Sequence, residues 1–251
     1  MNKPVSIKTA VAAAFGAAAG TYDAGADLQR EVATKLAAEI TGLALPARPR
    51  ILEIGCGTGF LSRALAGLNP GELVLSDIAP EMLLRCRESL GETPARFVMM
   101  DGEAPGAAGR NFDLVCASLV FQWFTDLKRA LGRLSGLLAP GGHLVFSTLA
   151  ADSFCEWRAA HDTLGLAAGT GPYPTTQALA DMLPGMTVTD ERITRHYADG
   201  HSFLNQLKQI GAQGALDDYR PLSAGALRRV LRRFETGIDV TYHVATAVYT
   251  A

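Results

Sequence analysis

Along most of the chain, short apolar runs alternate with segments whose apolar residues recur at helical spacing. The strand-like runs are Ile51 to Ile54, Leu73 to Ser76, Arg96 to Met99, Phe112 to Ala117 and Leu144 to Thr148. Between them, Leu61 to Leu68, Pro80 to Leu90 and Asp126 to Leu138 read as helices. Strands separated by helices must join through right-handed crossovers, so the pattern predicts an α/β fold with a doubly wound, mostly parallel sheet covered on both faces. Pro140 to Gly142 reads as the turn that ends one helix and starts the next strand.

Outside this alternation the pattern changes twice. Residues 1–45 read as an N-terminal helical lid expected to lie over the ligand site, with Ala13, Ala14, Leu28, Val32, Leu36 and Ile40 at turn spacing and an interruption at Tyr22-Asp23. Residues 50–150 form the alternating core. Residues 151–185 form an irregular insertion after the fifth strand, with an amphipathic piece at Phe154 to Leu164, a Gly-rich stretch and the proline-flanked Tyr173. Such an insertion lies near the strand ends where open α/β sheets bind ligands, and is expected to cover a substrate. Residues 186–251 carry a strand at Met186 to Tyr197, helices at Phe203 to Ile210 and Ala224 to Phe234, and a last strand at Val240 to Tyr249.

Composition narrows the function classes. With 251 residues, 48% of them hydrophobic, the chain suits one domain with a sizeable core. A formal charge of -2 from 23 basic and 25 acidic residues gives no global field for nucleic acid or an anionic membrane. Lys3 and Lys8 before the Ala-rich run from Ala10 to Gly20 loosely imitate a secretory signal, but Gly16 breaks the run. Cys56, Cys86, Cys116 and Cys155 are scattered without a CxxC pair, so reduced thiols, a cytoplasmic location and no metal are expected.

Chemistry concentrates at Glu53-Ile54-Gly55-Cys56-Gly57-Thr58-Gly59, where strand gives way to helix. Glycines there let the backbone turn sharply and approach a ligand. A dinucleotide fingerprint would need its third glycine one position later, where the bulky Phe60 stands, and no Gly-Lys-Ser/Thr follows to make a P-loop. Asp77 closes the second strand, where a carboxylate can accept hydrogen bonds from both hydroxyls of a ribose. Asp101 follows the third strand, placed to accept from an adenine amino group, although either Asp alone would also serve as a helix cap.

Together, the glycine segment, Asp77 and the Met100-Asp101-Gly102 turn resemble the cofactor signature of class I S-adenosylmethionine-dependent methyltransferases. The resemblance implies a seven-stranded sheet with a final antiparallel strand. It also implies a cofactor site of Glu53, Gly55, Cys56, Gly57, Gly59, Asp77, Ile78, Asp101, Gly102, Ser118 and Leu119, with S-adenosylhomocysteine as product. Beyond that core, Ala12-Ala13-Ala14-Phe15-Gly16, Tyr22, Ala26 to Arg30, Gln122-Trp123, Thr148-Leu149, Leu207 to Ala212 and Thr241-Tyr242-His243 resemble the malonyl-acyl-carrier-protein O-methyltransferase family of biotin synthesis. The implied reaction is methylation of a malonyl carboxylate on acyl carrier protein.

The absence of an obvious acid-base dyad fits that chemistry, because a carboxylic acid of pKa about 4 is already ionised at neutral pH. Tyr22, Gln122 and Trp123 are the substrate-positioning candidates, with burial in the core as the alternative for Tyr22 and Trp123; a structural role is expected for His243. Arg228, Arg229, Arg232 and Arg233, with Lys208, are candidates for docking the acidic carrier; as two i,i+4 pairs they would form one basic helix face, with Glu235 the first acid after them. An ordinary solvated face is the alternative. Two other functions stay open at this point: methylation of another small carboxylate or hydroxyl, and a non-catalytic adenosylmethionine-binding module.

Overall fold

A computed structural model describes residues 7–106, 111–212 and 221–251. Lys3 of the signal-like segment lies outside them. Three N-terminal helices, α1 (Ile7–Ala18), α2 (Tyr22–Gly25) and α3 (Asp27–Thr41), precede the alternating core. The breaks fall at residues 19–21 and at Ala26, so Tyr22 starts a helix rather than interrupting one. The core runs β1 (Arg50–Ile54), α4 (Phe60–Ala66), β2 (Glu72–Asp77), α5 (Pro80–Leu90), β3 (Arg96–Met99), β4 (Phe112–Ser118), α6 (Leu127–Ser135) and β5 (Leu138–Leu149). Then follow α7 (Cys155–Asp162), α8 (Thr176–Ala180), β6 (Thr187–Tyr197), α9 (Gly200–Gln209), α10 (Ala224–Leu231) and β7 (Ile238–Thr250).

The seven strands form one sheet in the order β3-β2-β1-β4-β5-β7-β6. The first five pair in parallel, and β7 runs antiparallel between β5 and β6. This is the doubly wound, mostly parallel sheet expected from the alternation. Its central strands read as continuous apolar runs because both faces are covered. On one face Ile51, Leu75, Leu114 and Cys116 pack against α3, α4 and α5, through Leu36, Leu61 and Cys86 among others. On the other, Leu52, Ile54, Val115, Ala117 and Phe146 pack against Leu131 and Leu134 of α6.

Local signals explain several helix ends. Pro80 opens α5, where a missing N–H costs nothing, and Gly91 beyond it has φ 57°. Asp126, Asp199 and Ser223 cap α6, α9 and α10 by accepting from the backbone N–H three residues on. The short helix α8, capped in the same way by Thr175, was hidden by the irregular composition of the insertion.

One reading is corrected. Pro140 to Gly142 is not a turn before the fifth strand but a bulge within it. The register against β4 jumps from Phe112↔Leu138 to Leu114↔His143, so the extra residues of β5 loop out. The bulge then receives the end of the chain, with Gly141 N–H donating to Ala251 O and Ala251 N–H donating to Gly142 O, both at 3.0 Å.

Strand order reverses between β1 and β4: β2 and β3 lie to one side, β5 onward to the other. A crevice therefore opens beyond the carboxyl ends of β1 and β4. The glycine loop after β1 and Ser118-Leu119 at the end of β4 flank it.

Candidate active site

That crevice is a cavity with about 740 Å³ of empty space including its mouth. Gly55, Gly57, Asp77, Ile78, Asp101, Gly102, Ser118 and Leu119 line it, eight of the positions expected from sequence. Gly57 has φ 53°, and a Cβ there would meet nothing within 4 Å, so this residue faces the open space. Gly55, at φ 66°, packs so closely on Val120 that a Cβ would lie 2.5 Å from its Cγ2. Any side chain at Gly55 would push the β1 and β4 loops apart.

Asp77 holds the loop in place. Its two carboxylate oxygens accept from Gly57 N–H and Ala79 N–H, each at 2.9 Å. Burial pushes its pKa up, against the lowering effect of the Ala79, Gly57 and Ile78 amides. The amides leave acceptor capacity on this buried carboxylate, so it can receive hydroxyl donors from a ligand. Asp101 lies across the cavity, accepting from Glu103 N–H at 2.9 Å and from the Lys8 ammonium at 2.5 Å.

The N-terminal helices close the remaining side. Lys8 pairs with both Asp101 and Glu103, and Val11, Phe15 and Tyr22 complete the wall. Phe15 meets Trp123 edge-on with ring centroids 5.4 Å apart, and Tyr22 lies 6.3 Å from the Phe60 ring. Thr58 of the glycine loop donates to Asp23 at 2.6 Å, tying α2 down. Burial and the carboxylates of Asp77 and Asp23 push the Tyr22 phenol above its usual range, so it stays a neutral donor. The signal-like Ala-rich run is thus part of the cavity wall. Its grip reaches the far end of the chain: Gln206 of α9 donates to Gly25 O, and Thr21 donates to Gln209 O. The segment Leu207 to Ala212 contributes a seat for these helices, since Gly211 lies too close to Ala14 O for any side chain.

Four sequence-predicted positions do not reach the cavity. Glu53 points to the α4 face, where Ser62 donates to it at 2.5 Å, and burial pushes its carboxyl up to about 8. Cys56 is buried beside Cys86 under the loop. Gly59, at φ 96°, faces α5, where a Cβ would strike Ser89 Oγ at 2.5 Å. The Gln122 amide donates to Leu119 O at 2.6 Å and accepts from Thr148 at 3.4 Å. It braces Leu119, whose φ of 52° is uncommon outside glycine and whose N–H donates to Ser147 O at 3.0 Å. Trp123, by contrast, lines the cavity. Lys8, Val11, Phe15, Met82, Met100, Val120 and Phe124 are wall residues that the sequence reading missed.

The remaining candidates lie elsewhere. His243 is buried, its Nδ1 accepting from Asp152 N–H and its Nε2 2.8 Å from Asp190, an architectural role as expected. Arg228, Arg229, Arg232 and Arg233 are all exposed. α10 ends at Leu231, and Arg232 and Arg233 follow directly on a tighter 3-10 turn. Arg228 and Arg232 line a shallow groove in which Asp199 and Glu235 also stand. Lys208 is exposed in the last turn of α9. No helix among the described residues is long and apolar enough to cross a membrane.

A family model described as "Methyltransferase domain" matches residues 52–146, the span of the glycine loop and the β4 crevice. The Bacillus subtilis YcgJ protein shares the fold, with a TM-score of 0.59 over 86% of this chain and 97% of that one at 16% identity. Fold, loop and paired acidic residues define a class I S-adenosylmethionine-dependent methyltransferase. The chain is 48% identical over 238 residues to a Bordetella avium biotin biosynthesis bifunctional protein, covering 94% of this chain and 51% of that protein. It thus spans about half the length of that relative. To the Magnetococcus marinus malonyl-[acyl-carrier protein] O-methyltransferase it is 41% identical, over 91% of this chain and 88% of the relative. The chain belongs to the malonyl-[acyl-carrier protein] O-methyltransferase family.

Proposed function

We propose that this chain transfers the methyl group of S-adenosylmethionine to the free carboxylate of malonyl-acyl carrier protein in the cytoplasm, for biotin synthesis. The observation that carries the reading is the similarity to relatives named malonyl-[acyl-carrier protein] O-methyltransferase across more than nine-tenths of the chain, including segments outside the generic cofactor core. Bound S-adenosylmethionine supplies a methyl group on a cationic sulfur, and the carboxylate that accepts it has no proton to lose.

The chain's own residues would then bind, orient and exclude water. Gly57 leaves room for the methionine portion, Asp77 takes the ribose hydroxyls, and Asp101 with the Gly102 amide faces the adenine. Leu119, held in its left-handed backbone by Gln122 and Ser147, would support the sulfonium end of the bound cofactor. Phe15, Tyr22 and Trp123 keep water away from a reaction that neutralises charge, where a dry cavity helps. The titratable groups on the described wall are Lys8, Tyr22, Asp77 and Asp101, each already paired or held neutral. That inventory suits a substrate ionised in solution.

The test compares kcat/KM for malonyl-carrier protein, malonyl-coenzyme A and free malonate. Malonyl-carrier protein should be the best by far. Equal rates on all three, or transfer to none, would remove the carrier-borne substrate from the account.

A further inference from the structure

Past Leu119 the interior is an apolar cluster that carries three tyrosines. Leu119 lines the cofactor cavity and also packs in a cluster with Phe154, Phe203 and Tyr242, against which Tyr173 and Tyr197 lie. Three phenols thus converge from separate elements: Tyr242 on β7, Tyr197 at the end of β6, and Tyr173 between α7 and α8. Register puts Tyr242 at the end of the sheet where the crevice opens. β7 pairs Val244 with Leu149, the last residue of β5, so Tyr242 stands just past the carboxyl end of β5.

The Tyr242 and Tyr197 hydroxyls are 2.8 Å apart. Two hydroxyls sharing one hydrogen bond use one of their two hydrogens, and among the described residues no further acceptor meets either. The pair therefore has a donor to spare. Tyr173 lies 6.1 Å, ring to ring, from Phe154, which in turn is 5.2 Å from Tyr242. Burial pushes all three phenols up, so they remain neutral donors at neutral pH. Positive charge stands behind them. Arg158 is within electrostatic reach of Tyr173 and donates to the Ala151 carbonyl at 2.5 Å, while Arg195, paired with Glu31, reaches Tyr197 and Tyr242.

Phenylalanine at these positions would fill an apolar cluster without buried hydroxyls to satisfy. We propose that the Tyr197–Tyr242 hydroxyl pair, with Tyr173 beside it and Arg158 behind, seats the carboxylate of the acceptor and donates to the oxygen that does not attack the methyl group. This rests on the reading of a carboxylate acceptor given above. Neutral donors suit the chemistry better than a direct ion pair. Methylation removes the negative charge, so a guanidinium clamped on the carboxylate would bind the ground state more tightly than the transition state. A hydroxyl orients the group and keeps its hydrogen bond to the ester that forms.

The experiment measures binding of malonyl-carrier protein and of acetyl-carrier protein, which lacks the carboxylate, to the protein saturated with S-adenosylhomocysteine. Wild type should favour the malonyl form. Tyr242→Phe and Tyr197→Phe should each weaken malonyl-carrier binding by about ten- to a hundredfold, the value of a hydrogen bond to a charged group, and leave acetyl-carrier binding unchanged. Unaltered S-adenosylhomocysteine affinity shows that the variants are folded, and Tyr173→Phe provides a third, independent removal. Retained preference for malonyl in the variants overturns the proposal, as does an equal loss for both carriers, which marks the phenols as structural. Methyl transfer by wild type is read separately: if it fails while the malonyl preference stands, the reaction is wrong and the carboxylate seat is not.

Discussion

Asp77 carries two duties, bracing Gly57 and presenting a buried acceptor to the ribose, and the first can be separated from the second. Asp77→Ala removes both and should lower affinity for S-adenosylhomocysteine a hundredfold or more, from two charge-assisted hydrogen bonds at roughly 1.5 to 3 kcal/mol each. Asp77→Asn keeps an acceptor and should fall between. Calorimetry decides, and unchanged affinity in the alanine variant would remove Asp77 from the cofactor site. Glu53 makes a different prediction. Its folded pKa, raised to about 8 by burial, exceeds the unfolded value of 4.5, so the native state binds more protons between those limits. Stability should therefore fall as pH rises through that window, by up to about 1.4 kcal/mol per pH unit from this group. Glu53→Gln keeps the Ser62 hydrogen bond and should flatten the profile, with its largest relative gain near pH 8. Denaturant midpoints across the window check the sign, and identical slopes in both proteins would show that Glu53 does not titrate this way. Which residues reach the cavity was legible where backbone geometry dictates it: Gly55, Gly57, Asp77 and Leu119 sit at strand ends. Glu53 was misplaced because side chains alternate along a strand, and it shares the α4 face with Ile51 rather than the direction of the loop. Gln122 was misplaced because its partner, Leu119 O, lies only three residues away.

At the scale of elements, strands and helices followed the hydrophobic period closely, since central strands and crossover helices each bury faces that the pattern records. The contacts that seat α1 were not legible. They join residues far apart in sequence, Lys8 with Asp101 and Phe15 with Trp123, and leave no local signature. The arginines after Gly225 show a related limit: helical spacing presumes that the helix continues, and here it tightens after Leu231. Exposed ion pairs are individually worth about 0.2 to 1 kcal/mol, so one reversal should matter little. Reversing Arg228, Arg229, Arg232 and Arg233 together to Glu should raise KM for malonyl-carrier protein clearly, leave kcat and the weaker use of malonyl-coenzyme A nearly unchanged, and fade as added salt shortens the Debye length below about 8 Å. Equal losses on both substrates, or none, would make this segment an ordinary solvated surface.

For the whole molecule, the switch in strand order creates the crevice and the N-terminal helices wall it on one side. Elements distant in sequence meet in this arrangement: α1 lines the cavity, and Ala251 is tied into the β5 bulge beside β7. Such a frame suits methyl transfer by positioning alone, with the acceptor arriving already charged. Intact-mass analysis of the carrier after a single turnover tests that account most directly. The prediction is one added methyl group on malonyl-carrier protein, released by mild alkaline hydrolysis as a carboxyl ester, and none on acetyl-carrier protein. A carrier left unmodified by protein that binds S-adenosylmethionine, or a methyl group found on acetyl-carrier protein as well, would contradict it.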